Sequence, residues 1–325
     1  MVWSFSAGQS FDRCPRRWFF RSVVAHHAAK DPARREAYLL SKLDSLWSWR
    51  GRLVDDVITY HVVPTLMVGR EPDLATLLAV ARESHEAHLA FAGAHRLREA
   101  AMRPGQHPDF LALLEVERGA PPSDADLAKA WGDAETVLTN LLAMHALLER
   151  LKGATLLLPQ RALTCKRALA GGEPVTVRAV PDLLAFFNDA PPLIVDWKVH
   201  THASTDYREQ LAGCALALIR SDGQWGLPNL GRLTPTDVDL IEAQLLTNEL
   251  RSYTLTGEDF RNTDVYRGES AIRMQAVLKD RSKGDRDPYT VPTTTDLKTC
   301  EGCNFKALCW DGSTGPRFQA PPMSL

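Results

Sequence analysis

The sequence predicts an α/β protein, a mixed sheet flanked by helices with an all-helical insert ahead of it. Three observations predict it. Residues 38–151 carry apolar side chains mostly at helical spacing. Residues 155–199 switch to short β-branched and apolar runs punctuated by Gly, Pro, Asn and Asp. Residues 207–220 then return to helical spacing before two further strand-like runs.

In order, Ser4 to Gln9 reads as a short polar lead-in. A helix rich in aromatic residues (Phe11, Trp18, Phe19, Phe20) starts near Cys14-Pro15, since Pro suits a first helical turn, where its missing N–H is not needed. From Tyr38 to Val63 the residues Leu39, Leu43, Leu46, Val54, Val57, Ile58 and Val62 predict one long helix ending before Pro64, with Gly51 inside it. Leu74–Leu97 and Asp124–Leu151 predict the helical insert, interrupted around Arg103-Pro104-Gly105 and Gly119-Ala120-Pro121-Pro122. Strands are expected at Thr155–Leu163, Pro174–Val180, Leu183–Phe187 and Leu193–Val199. Tyr207–Arg220 is a helix, and Asp237–Leu246 with Glu249–Leu255 a hairpin turned at Thr247-Asn248. Thr256, three residues before Asp259, starts a last helix that runs to about Lys279. The tail after Trp310 has few apolar anchors and is expected to be loosely held. This divides the chain into amino-terminal helices (1–63), the insert (64–152), the α/β core (153–290) and a cysteine-bearing end (291–325).

With 325 residues, 45% hydrophobic and 24% charged, the chain can bury a sizeable core and is not expected to be disordered. A formal charge of -2 excludes a uniformly basic nucleic-acid coat, so any such grip must be local. The stretch Arg13 to Arg35 is one candidate, with Arg13, Arg16 and Arg17 at its head, although a solvated helical face fits it as well. The amino terminus has no basic leader and apolar core, and no apolar run approaches about 18 residues. A cytoplasmic protein is expected. There is no GxxxxGK[ST] motif, so no phosphate-loop motor is expected in this chain.

Pro181-Asp182 ends one predicted strand, and Ile194-Val195-Asp196-Trp197-Lys198 lies in the next. Residues two apart on a strand share a face, so Asp196 and Lys198 project together while Trp197 points away. A hairpin brings Asp182 to the same place. Two such carboxylates can hold Mg²⁺ or Mn²⁺ through oxygen. A bound metal ion acidifies water and polarises a phosphate, and a neighbouring ammonium offsets developing charge. The bland alternative is a turn aspartate beside a solvated charge pair. Against it, Leu193, Ile194 and Val195 are apolar on both faces, which predicts a buried strand where unpaired charges are costly. Gln210, on the next helix, is a polar residue among Leu211, Ala212 and Leu216 and can touch the metal water or the phosphate.

Of six cysteines, Cys300, Cys303 and Cys309 form C-x2-C-x5-C, and Cys14 is the candidate fourth ligand, with Cys165 and Cys214 as rivals. Cys165 is taken as a strand end and Cys214 as a small buried hydrophobe. Four thiolates suit zinc and iron–sulfur clusters alike. A cluster held by Cys14 would tie the first helix to the last segment.

Together these residues resemble the RecB-like branch of the PD-(D/E)XK nuclease superfamily, and within it the iron–sulfur members that include AddB-type and CRISPR-associated RecB-like exonucleases. The resemblance lies in Ser4-Phe5-Ser6 through Phe11-Asp12-Arg13-Cys14-Pro15-Arg16-Arg17-Trp18, in Pro181-Asp182 with Asp196-Trp197-Lys198, in Gln210-Leu211-Ala212-Gly213-Cys214 at the place of a Q-x3-Y motif, and in the terminal cysteines. It implies a restriction-endonuclease-like core and a [4Fe–4S] cluster on Cys14, Cys300, Cys303 and Cys309. It also implies Mg²⁺- or Mn²⁺-dependent hydrolysis of DNA, as an exonuclease, by Asp182, Asp196, Lys198 and Gln210. Repair, recombination or phage defence is the implied setting, with a separate helicase or defence-system protein as partner.

There are two departures. Gly51-Arg52-Leu53-Val54-Asp55 puts Asp55 where the family often has a metal-binding His, so Asp55 is expected to join Asp182 and Asp196 as a ligand, although a solvent-facing Asp55 beside Asp56 fits as well, with the more distant His61 a weaker substitute. Cys214 stands where the family usually has Tyr. His85-Glu86-Ala87-His88 lacks the spacing of a zinc-protease motif, and His85, His88 and His95 are expected at the insert surface. The alternative function is a catalytically inactive RecB-like DNA-binding or assembly subunit.

Overall fold

The computed structural model describes residues 1–99, 102–200, 207–221, 223–279, 286–310 and 315. The tail after Trp310 lies outside them apart from residue 315. Strand β1 (Val2–Trp3) leads into α1 (Phe5–Arg13), α2 (Pro15–Phe19) and α3 (Pro32–Leu40). The expected polar lead-in is therefore helical: Ser4 caps α1, its hydroxyl accepting from Ala7 N at 3.2 Å. The chain ends α1 at Cys14 and restarts α2 at Pro15, which needs no N–H in a first turn.

The long helix expected from Tyr38 to Val63 is broken. Helix α4 (Leu46–Val57) starts afresh behind a Ser45 cap, because Asp44 is drawn into backbone pairing with Leu113. It then widens into a π turn (Ile58–Val62) and continues through Pro64 as α5 (Val63–Met67). Val63 N reaches back to Ile58 O across that wide turn, so Pro64 falls at the start of a renewed helix rather than ending one. The insert contains α6 (Leu74–Ala94), α7 (Leu114–Glu117), α8 (Asp124–Ala143) and α9 (His145–Lys152).

The run expected as one strand, Thr155–Leu163, divides into β2 (Leu156–Pro159) and the start of β3 (Leu163–Arg167), which belong to different sheets. Cys165 consequently lies mid-strand. After β4 (Val175–Ala179) come β5 (Leu183–Phe186), β6 (Leu193–Lys198), α10 (Arg208–Arg220), β7 (Asp239–Gln244), β8 (Glu249–Tyr253) and α11 (Gly257–Lys279). Short helices α12 (Lys298–Glu301) and α13 (Lys306–Cys309) carry the last cysteines.

The central sheet is mixed, in the order β2-β5-β6-β7-β8, and a smaller sheet runs β1-β4-β3. Strands β5 and β6 form the expected antiparallel pair, whereas β6 and β7 are parallel, as the α10 crossover requires. Alternation then sorts the central sheet's two faces. Leu183, Ala185, Leu193, Val195, Ile241 and Ala243 join the core under α4, α5, α8 and α9. Leu184, Phe186, Ile194 and Leu240 join the core under α10. Both faces are covered, which is why Leu193, Ile194 and Val195 are all buried. No helix among the described residues is long and apolar enough to cross a membrane.

Candidate active site

The catalytic residues expected from sequence meet where β5 begins and β6 ends. Strand β6 passes Asp196 and Lys198 to the α10 side and Trp197 into the opposite core. The Lys198 ammonium touches Asp196 Oδ2. From α10, Gln210 Nε2 donates to Asp196 Oδ1 at 2.7 Å. Asp182, just before β5, accepts the backbone N–H of Trp197 on Oδ2 at 2.7 Å. That bond ties Asp182 to the strand that bears Asp196.

Asp55 arrives from α4. It lines one cleft with Asp182 and Lys198, the other walls including Trp47, Arg50, Gly51 and His200. His61 is not among the residues of that cleft. Helix α4 thus brings Asp55 to the cleft that Asp182 and Lys198 line.

Burial and mutual repulsion set the charges. Burial raises the Asp182 carboxyl well above its ordinary range, and the neighbouring Asp196 and Asp55 add to it. Asp196 is only 3% exposed, and burial raises it too, against the opposing pull of Lys198. Burial, Asp56 and Asp196 push Asp55 up to about 6, while Gln160 opposes them. Burial works against the Lys198 ammonium, but Asp196 and Asp182 outweigh it and hold its pKa above the usual value. Lys198 therefore stays protonated at neutral pH.

Such a cluster of acids is what a hard cation relieves. Asp196 Oδ2 is buried without a hydrogen bond of normal geometry, facing the Lys198 charge. Among the described residues no group of three or more His, Cys, Asp or Glu side chains is arranged to hold a metal ion. Mg²⁺, however, commonly uses one or two carboxylates and keeps its waters, so the Asp182–Asp196 pair fits it.

Three neighbours escaped the sequence reading. Gln160, in the turn after β2, donates Nε2 to both Asp55 oxygens, at 3.1 and 2.9 Å. Tyr207 places its ring 4.1 Å from Lys198 Nζ, and its hydroxyl shares a 2.7 Å hydrogen bond with His200 Nε2. Glu242 pairs in register with Asp196 on the next strand and is fully buried. Its carboxylate accepts from Gln244, from Arg251 Nη1 at 3.3 Å and from the Tyr253 hydroxyl at 2.6 Å. A visible signal existed for Glu242: it is an acid inside the apolar run Leu240-Ile241-Glu242-Ala243, the same mark that singled out Asp196.

The segments that carry the four cysteines of the expected clasp pack together from opposite ends of the chain, Arg16 N donating to Pro292 O at 3.0 Å. Cys14, Cys300 and Cys303 are buried and Cys309 half-buried, all as free thiols. Burial raises Cys300, Cys303 and Cys309, and each also feels Cys14. Cys214 lies instead in the core under α10, its thiol pushed up by burial, as expected of a small hydrophobe. Cys165 pairs with Val177 inside the small sheet.

Arg16 departs from its expected role. It is 0% exposed, donating from Nε to Val291 O at 2.9 Å, from Nη2 to Tyr289 O at 3.1 Å and from Nη1 to Cys309 Sγ at 3.6 Å. Its donors are taken up inside the protein, so it cannot reach nucleic acid. Arg13 is exposed and Arg17 half-buried. His85 and His88, expected at the surface, are core residues: Trp49 Nε1 donates to His88 Nδ1 at 3.0 Å, and His85 packs between Trp49 and Trp131. His95 is exposed as expected.

A family model described as the PD-(D/E)XK nuclease superfamily matches residues 2–310. The chain belongs to that superfamily, whose members are in general nucleases. No curated protein matches it. Among solved structures it is similar to the crystal structure of SSO0001, at 11% identity over 71% of this chain and 96% of that one, with a TM-score of 0.30. That likeness is too loose to refine fold or function.

Proposed function

We propose that this protein is a Mg²⁺- or Mn²⁺-dependent DNA nuclease, an exonuclease acting on single-stranded or end-bearing duplex DNA in repair, recombination or phage defence. One observation carries it: Asp182 accepts from Trp197 N on the strand that bears Asp196, and the two Asp196 oxygens meet Lys198 and Gln210.

Asp182 and Asp196 would hold the cation, with Asp55 completing the shell. When bound, the cation acidifies a water molecule and polarises the scissile phosphate. Trp197 N fixes Asp182 through one oxygen and leaves the other for the cation. Gln210 holds Asp196 through Oδ1, and the cation would share Oδ2 with the Lys198 ammonium. Lys198, protonated, donates to the attacking water or a phosphate oxygen and offsets the charge that develops there, rather than accepting a proton. Arg13 and Arg17 would grip the phosphate backbone.

A [4Fe–4S] cluster on Cys14, Cys300, Cys303 and Cys309 belongs to this reading. A single ion needs its ligands to converge on a point, whereas a polynuclear centre keeps its thiolates apart by the width of its own core. Three buried thiols and a half-buried fourth, on segments packed together from the two ends of the chain, are the donor set such a centre takes.

The test is cleavage of single- and double-stranded DNA with Mg²⁺ or Mn²⁺. Wild type should cut, and Lys198→Ala should lose at least roughly 100-fold in rate, the scale of one transition-state donor. Wild type that binds DNA and leaves it intact in both metals would favour the non-catalytic subunit instead.

A further inference from the structure

We infer that Trp47 is a platform on which a nucleobase of the strand entering the catalytic cleft stacks, so that the cleft takes single-stranded or frayed ends in preference to closed duplex. The inference rests on the nuclease reading of that cleft.

An isolated exposed tryptophan needs no explanation. The surroundings of Trp47 give it one. Its indole is 42% exposed at the start of α4, and it lines the same cleft of about 470 Å³ as Asp55, Asp182 and Lys198. Trp47, Gly51 and Asp55 succeed one another at four-residue steps, which puts them on one helical stripe. Eight residues of helix span about 12 Å, so the indole stands close enough to hold a base near the scissile phosphate.

Gly51 lies between them. Glycine inside a helix costs roughly 1 kcal/mol against alanine, and close packing is the usual reason to accept it. Here a Cβ would meet nothing within 4 Å. The missing side chain instead leaves a bare trough along the helix from Trp47 to Asp55.

The charges at the outer end of the trough suit a polyanion. The Arg50 guanidinium and the Lys129 ammonium lie 5.2 and 5.5 Å from the Trp47 ring centroid. Arg50 is buried and bound to Asp133 and Val199 O, yet its Nε has no hydrogen-bond partner. Lys129 is largely exposed and meets, at 3.0 Å, the Asp133 that Arg50 also binds. Two positive charges to one negative leave this end net cationic, and an arriving base can displace the ammonium from the ring. A π-surface beside cations, at the mouth of a cleft with acids at its inner end, is how sequence-tolerant single-strand sites are built.

The experiment uses full-length Lys198→Ala protein without divalent metal, a single-stranded dT oligomer and a blunt hairpin duplex. Adding Trp47→Ala should weaken single-strand binding about 10-fold and leave duplex binding nearly unchanged. Trp47→Phe should retain part of the affinity but lose the DNA-induced quenching of tryptophan fluorescence. Gly51→Leu, which fills the trough and favours the helix, should weaken single-strand binding without lowering the melting temperature. Unchanged single-strand affinity in Trp47→Ala, or an equal loss for the duplex, overturns the inference. Trp47-dependent binding by a wild type that cuts nothing would leave the platform standing and remove the nuclease reading. A wild type that binds no DNA overturns both.

Discussion

Gln160 holds both oxygens of Asp55 with one side-chain amide, at 3.1 and 2.9 Å, from a backbone at φ 49°. Its own N–H donates to Asp182 O at 3.0 Å, so a single turn residue braces two of the clustered acids. A non-glycine residue in the left-handed region costs free energy and persists where its surroundings insist on it. The turn after β2 is such a place.

Replacing that amide should therefore be felt through the metal. Gln160→Leu is expected to raise the Mg²⁺ concentration for half-maximal cleavage about 10-fold while changing the maximal rate less, as losing a residue that orients a ligand does. Gln160→Gly should shift metal dependence likewise, yet relieve the backbone and keep or raise the melting temperature. An unaltered Mg²⁺ dependence in both variants would remove Gln160 from the site.

The acid cluster also makes the metal-free protein pH-sensitive. Asp55 sits at about 6 against an ordinary 3.8, so the folded state binds its proton more tightly than the unfolded chain does. For a raised carboxyl, that stability is fully present below 3.8 and is lost as pH rises through about 6. The shift is worth about 3 kcal/mol at most. In chelator, Asp55→Asn should be more stable than wild type at pH 8, by about 2 kcal/mol in denaturant melts, and equal to it near pH 4. Equal stability at both values would mean that Asp55 does not share the repulsion.

Much of this site was legible because a strand leaves little freedom. Once Leu193–Val195 marked a strand covered on both faces, the side-by-side placement of Asp196 and Lys198 followed from the pleat. Asp55 was legible as a position on a helix, although α4 begins later than its apolar spacing suggests, since the contact that breaks the helix, Asp44 with Leu113, is distant in sequence. Gln160 was hidden inside a run that read as one strand. Pro159 offered the sign of a break, but not that the two halves join different sheets. Arg16 and His88 show the converse. Charge or polarity suggested solvent, and partners remote in the chain, Val291 and Trp49, made burial tolerable.

Arg16 and its neighbours should separate cleanly. Arg16→Met removes three donors that satisfy carbonyls and a thiol linking the two ends of the chain, and should cost about 2 to 4 kcal/mol of stability. DNA affinity of the folded fraction should not change. Arg13→Ala with Arg17→Ala should leave melting nearly intact, weaken DNA binding and reduce the salt dependence of that binding by about two phosphate contacts. Identical salt slopes for wild type and the double variant would take both arginines off the DNA.

The cysteine clasp makes a last prediction, because the ends it would join are already held without it. Arg118 donates to Glu301 O and, at 2.9 Å, to Cys303 O. Asn304 Nδ2 donates to Leu40 O and Leu43 O at 3.0 and 2.9 Å. Phe305 stacks on Phe20 with ring centroids 5.3 Å apart. A small metal-folded domain unfolds when its metal leaves; this segment has packing of its own. Protein purified without oxygen should carry iron and the visible absorbance of thiolate-bound iron, and Cys14→Ser should lose most of both while Cys165→Ser keeps them. Loss of the cluster should expose residues 291–310 to limited proteolysis but leave the near-UV circular dichroism of the sheet core in place. Iron retained in Cys14→Ser, or lost equally from Cys165→Ser, would contradict the ligand set. Zinc in place of iron in wild type would keep the clasp and change its chemistry to a purely structural one.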